Sequence, residues 1–235
     1  MLDFLKELEA NNDDSARTLY LPPGLPPPEI EKALHIISPP LVPEIADIAV
    51  SSKRGIALFH GDPQKCLIVP PFPIEEKTLL PSYVAEPLYR ILEKDWKIAL
   101  VLVRLGAYAI GLCQGETIID AKVGTGLVHG RHRQGGSSSS RFRRHREKQI
   151  EQFLVRVCTH VQEKFESQTI DYLIYGGAWT TILSLQKQCP FLQKFDDRVL
   201  PPLLDIPKPN RETLETAVKR VWSSKVIEFD EIPQQ

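Results

Sequence analysis

Between residues 98 and 165 the chain changes its hydrophobic period once, and no other feature constrains its fold as strongly. Residues 98–105, 108–113, 117–119 and 122–128 are short apolar or alternating runs, separated or interrupted by Gly106, Gly115, Gly124 and Gly126. Antiparallel strands joined by tight turns fit that spacing. Further on the period becomes helical. Ile150, Phe153, Leu154, Val157, Val161 and Phe165 recur every three to four residues and form one apolar stripe. A set of short strands must therefore hand over to a long helix, and the handover falls between Val128 and Ile150.

The flanks extend this pattern. Residues 2–10 place Leu2, Phe4, Leu5 and Leu8 on one face of a short helix. A strand-like TLYL then runs into prolines, which block helix and ladder bonding alike. Residues 29–37 read as helix, stopped at Ser38-Pro39-Pro40. Residues 1–50 are thus expected to be a Pro-rich helical and extended N-terminal attachment, with residues 51–235 as the main domain. That domain opens with apolar runs at 55–60 and 66–69 around a His60-Gly61-Asp62-Pro63 turn, followed by a helix at 84–94. After the long helix come a strand at 172–175, a helix at 179–188, a short strand at 203–206 and a helix at 211–222. The tail, 228–235, is acidic and expected to fray. The expected fold class is α/β (α+β), a mixed β-sheet flanked by helices.

Composition limits the function classes. With 42% hydrophobic and 25% charged residues, a sizeable core can form. The net charge of −1 supplies no global field toward nucleic acid, so any such attraction must come from local clustering. Cys66, Cys113, Cys158 and Cys189 have no C-x-x-C spacing. They read mainly as small buried hydrophobes, and a disulfide framework is not expected. The N-terminus has no basic region ahead of an apolar run, as a signal peptide would. The longest apolar stretch, near residues 98–103, is too short for a bilayer. No membrane partner and a cytoplasmic location are expected; the oligomeric state is not encoded in any pattern.

Residues 129–148 read HGRHRQGGSSSSRFRRHREK. Seven are basic, namely Arg131, Arg133, Arg141, Arg143, Arg144, Arg146 and Lys148, and only Glu147 is acidic. Arginine presents a planar fork matched to phosphate oxygens. Several such contacts give salt-dependent binding to nucleic acid. Gly135 and Gly136 allow close backbone approach to a partner. The serines that follow can cap the helix, whose first N–H groups favour anions. Gly-Gly-Ser-Ser-Ser-Ser is also a linker composition. However, this stretch joins strands to a strongly patterned helix rather than two domains, and arginines flank the glycines on both sides.

RQGGSSSSRFRRHREKQIEQFLVRV resembles the signature of the central domain of eukaryotic and archaeal class I release factors. There a Gly-Gly-Gln tip is followed by small residues, Arg-Phe, a basic helix start and a long helix. Gly135 and Gly136 match the two glycines, Arg141-Phe142 the Arg-Phe pair, and residues 143–147 the basic helix start. LYLPPG near the N-terminus, the strand pair IALVLVRLGAYAIGLCQG and the strand–helix–strand–helix tail look most like the Vms-like release factor (VLRF) family, actinobacterial and chloroflexi type. The resemblance implies a factor that enters a stalled ribosome or its large subunit, with ribosomal RNA and peptidyl-tRNA as partners. It would promote hydrolysis of the peptidyl-tRNA ester without metal or cofactor. Ser137 stands where the family tip has glutamine, and the tip's own glutamine is Gln134, before Gly135. Gln134, Gly135, Gly136 and Ser137 are therefore the candidate catalytic residues. Either the backbone amides act with Gln134 or a serine holding water, or the protein binds without hydrolysing.

His129, His132 and His145 could serve as general bases but fit RNA contacts better. Asp120, Asp171 and Asp205 near strand ends could hold metal ions in an RNase H-like nuclease, although nothing in their spacing requires it. Gly176-Gly177 before a helix reads as a tight turn ahead of an anion site. Trp96, Trp179 and Trp222 lie in apolar patterns and read as core. No Ser/His/Asp order stands out.

Overall fold

The computed structural model describes residues 1–11, 15–39, 42–62, 64–128 and 139–229. The chain divides into two compact units, residues 1–94 with 221–235, and residues 95–220.

The first unit is built on an antiparallel five-stranded sheet. Its strands are β1 (Arg17–Leu21), β2 (Ile56–His60), β3 (Lys65–Val69), β4 (Thr78–Pro81) and β9 (Lys225–Glu228), in the order β4-β1-β2-β3-β9. Helices α1 (Leu2–Ala10), α2 (Pro27–Ile37), α3 (Val42–Ser51) and α4 (Glu86–Glu93) complete it. Alternation along β1 sends Leu19 and Leu21 to a core shared with Ile30 and Leu34 of α2 and Ile45 and Ala49 of α3. Tyr20 meets Phe59 edge-on at 6.2 Å between centroids and donates to the Val84 carbonyl at 2.6 Å. Glu9 of α1 accepts from the Ala85 N–H (2.7 Å) and the Tyr89 hydroxyl (3.1 Å), pinning α1 to the start of α4.

The expected boundary at residue 50 runs through this sheet, because β1 pairs along its whole length with β2. Residues 1–50 are thus woven into the unit they were expected to precede. In this unit three elements escaped the periodicity reading: α3, β4 and β9. In β9, Glu228 is a strand residue paired opposite Cys66 rather than part of a frayed tail. Residues 230–235 lie outside the described residues.

The second unit carries a four-stranded sheet in the order β7-β6-β5-β8. Its strands are β5 (Lys97–Arg104), β6 (Ala107–Gln114), β7 (Thr117–Thr125) and β8 (Tyr172–Gly177). The hairpin partners are antiparallel, while β8 joins β5 in parallel. The runs at 117–119 and 122–128 belong largely to one strand, β7, whose register against β6 shifts at Leu112/Cys113. Long α5 (Ser139–Phe165) and α6 (Trp179–Gln188) pack on one face through Phe153, Val157, Val161, Ile182 and Leu185. On the other face α7 (Arg211–Val221) is so close that a Cβ on Gly111 would sit 3.0 Å from Leu214. Covering both faces explains why β5 reads IALVLV without alternation. Residues 203–206 form no full strand, although Leu204 bridges to Gly176.

Candidate nucleic-acid interface

Helix α5 runs antiparallel to β7. Phe153 and Arg156 crowd Gly126, just past the end of β7, whereas Lys164 grips Asp120 near its start with two bonds of 2.7 and 2.8 Å. Tyr108 lies between, tilted against Phe153 and stacked on His160 at 5.7 Å. Residues before Phe153 therefore lead away from the carboxyl ends of β5, β7 and β8. From Ser140 to Gln152 none is buried. Ile150 still packs, partly buried, against the core, so at 1.5 Å per residue the overhang proper, residues 140–149, is roughly 15 Å long.

Arg141, Arg143, Arg144, Arg146 and Lys148 all lie on this overhang, and the first turn of α5 contains no acidic residue. At 100° per residue, Arg141, Arg144 and Lys148 face away from the later core stripe, while Arg143 and Arg146 fall on the same side as Val157 and Val161. Cations thus surround the helix instead of lining one solvated face. Arg143 pairs loosely with Glu147 at 3.8 Å, both well exposed, which contributes little. Phe142 is 56% exposed among these cations. Positive charge at a helix N-terminus opposes the macrodipole, so this arrangement disfavours the isolated helix and favours an anion beside it.

Arg131, Arg133, Gln134, Gly135, Gly136 and Ser137, together with His129 and His132, lie outside the described residues. His145 is on the exposed overhang.

The remaining candidates have structural employment. Asp120 is held by Lys164; Asp171 accepts from the Lys97 N–H at 2.8 Å; Asp205 pairs with Arg104 at 3.3 Å. Among the described residues no group of three or more His, Cys, Asp or Glu is disposed to hold a metal ion. Gly177 has φ +113°, and its N–H donates to the Leu204 carbonyl at 2.9 Å. A Cβ on Gly176 would lie 2.6 Å from Leu102. Both are the last residues of β8, paired with Leu102 and Val103, rather than the tight turn expected, and their missing side chains permit close packing there.

Two expectations need correction. Cys158 of α5 and Cys189 at the end of α6 form a disulfide, with Cα atoms 5.4 Å apart. Their separation of 31 residues hid a pairing that helix packing creates. Cys66 and Cys113 are buried free thiols, as expected, each pushed up to about 12 chiefly by desolvation. Trp96 is core at 5% exposure, but Trp179 is 59% exposed. The buried positions of α6 are Thr181, Ile182 and Leu185, and Trp179 falls off that stripe, a signal already present in the spacing.

The model of the Actinobacteria/chloroflexi VLRF1 release factor family matches residues 96–227, more than half of the chain. The chain belongs to that family. The chain is also similar to archaeal proteins called peptide chain release factor subunit 1. It is 30% identical over 144 residues to those of Thermococcus onnurineus (strain NA1) and Pyrococcus abyssi (strain GE5 / Orsay), covering 55% of this chain and 35% of each relative. The Archaeoglobus fulgidus protein is 30% identical over 113 residues. The chain thus spans about a third of the length of these relatives. The crystal structure of an archaeal translation termination factor, aRF1, aligns with 94% of this chain and 68% of its own at 17% identity and a TM-score of 0.42. Among the described residues, no helix is long and apolar enough to cross a membrane.

Proposed function

We propose that this chain promotes hydrolysis of the peptidyl-tRNA ester on stalled ribosomes or large subunits. The observation that carries the reading is the overhang of α5, with five cations around a helix end that contains no first-turn acid and buries none of residues 140–152. Such a stem suits insertion between RNA phosphates, where the arginine forks find bidentate partners and counterions are released. The 131–137 segment would then be carried at its tip toward the ester. Backbone N–H groups of Gly136 and Ser137 would stabilise the developing oxyanion. Gln134 or a serine hydroxyl would hold the attacking water, whose oxygen bonds the ester carbon as the tRNA 3′ oxygen leaves with a proton.

One observation favours a second reading. Ser137 in the glutamine position suits a factor that binds ribosome and tRNA for quality control without cleaving the ester. The test is peptide release from peptidyl-tRNA on stalled large subunits. Release by the natural chain, lost in a Gly135→Ala/Gly136→Ala variant that still binds, would support hydrolysis. Absence of release with salt-sensitive ribosome binding intact would leave the binding factor. Release that depends on magnesium and on Asp120 or Asp205 would instead point to a nuclease-like site.

A further inference from the structure

We infer that Trp179 is a second RNA-contacting residue, stacking on an unpaired base beside the basic overhang. The inference rests on the RNA-binding reading above. Trp179 opens α6 directly after the carboxyl end of β8, where the Ala178 N–H donates to the Val103 carbonyl at 3.2 Å. This is the same end of the second unit from which α5 projects, because β5, β7 and β8 run in one direction and Gly126 lies against Phe153 and Arg156. Ligands of open α/β sheets characteristically collect outside the carboxyl ends of strands.

The side chain is 59% exposed, although tryptophan is among the residues with most to gain from burial. Its helix, WTTILSLQKQ, contains no carboxylate and one lysine, so nothing on it repels phosphate. An exposed indole at the end of the sheet from which the basic stretch of α5 projects suits a stacking platform for single-stranded nucleic acid, and the acid nearby, Asp205, is paired with Arg104. Trp96 is buried and cannot perform this role. Leu105 and Leu127, 38% and 72% exposed near the same end, make a protein surface the competing occupant.

The probe is an RNA hairpin with an unpaired 3′ tail, compared with the same hairpin blunt-ended. The natural chain should bind the tailed hairpin more tightly and lose tryptophan emission on binding. Trp179→Ala should weaken tailed-hairpin binding roughly tenfold, the scale of one stacked base, and leave blunt-hairpin binding unchanged. Trp179→Phe should restore most of the affinity while abolishing the emission change. Equal binding of both hairpins by the natural chain and Trp179→Ala would overturn the inference while leaving the basic overhang as the RNA contact. So would Trp179→Ala losing association with RNA-free ribosomal proteins alone, which would assign the patch to protein. If the natural chain binds neither hairpin and no ribosomal RNA, the RNA-binding reading falls as well.

Discussion

The two halves of α5 obey opposite logic within one helix. From Phe153 to Phe165, six residues (Phe153, Leu154, Val157, Cys158, Val161 and Phe165) are buried, and the helix is held by packing on β6 and β7. From Ser140 to Gln152 none is buried, and cations oppose the macrodipole. Most helical stability in proteins comes from packing an apolar face. The second half therefore anchors the helix, and the first half is continued from it at a cost that an anionic partner would remove. Buried packing and exposed positive charge are separated along one axis.

The sharpest way to break this contrast is to truncate on each side of it. Phe153→Ala should destabilise the chain by about 3–5 kcal/mol in denaturant unfolding, through lost transfer energy and a cavity between α5 and Tyr108. Phe142→Ala, the same change on the overhang, should stay within about 0.5 kcal/mol. Comparable losses for both would show that the overhang is packed in solution. Reduction of the Cys158–Cys189 disulfide should lower the unfolding free energy by about 2–4 kcal/mol, and Cys158→Ser should make stability insensitive to reductant. Because the tie sits in the anchored half, salt-dependent RNA affinity should not change.

Arg144→Ala addresses the overhang alone. It should leave the unfolding midpoint unchanged or slightly raised, and reduce the slope of log affinity against log salt by about 0.7–0.9. An unchanged slope would remove Arg144 from the phosphate contacts. The smallest effect concerns neither half. Burial, with Lys65 nearby, lowers the His60 pKa below its usual 6.5. Below that value the unfolded chain binds the extra proton more readily, so stability should fall as pH drops from about 7 toward 5. His60→Gln should flatten that slope, and thermal unfolding across the range measures it.

Much of this was legible in the residues. The helical stripe from Ile150 to Phe165, the strand runs of β5 and β6 and the basic segment follow from local order, because side-chain periods of 3.6 and 2 are written into neighbouring positions. The RQGGSSSSRF pattern pointed to the release-factor family that the match over residues 96–227 shows. The short strands β4 and β9 escaped because their pattern is too brief to read. The return of residues 225–228 to pair with β3 depends on a partner more than 150 residues away in sequence.

What the sequence by itself determined is local: which segments are helix or strand, where positive charge is concentrated, and which family signature the loop resembles. Tertiary structure decided the rest. It showed that residues 1–50 share a sheet with the strands after them, that Cys158 meets Cys189, that Trp179 faces solvent, and that the cationic turns of α5 overhang the core. Each depends on which surfaces of distant segments meet. Burial is a property of that encounter, and no local pattern specifies it.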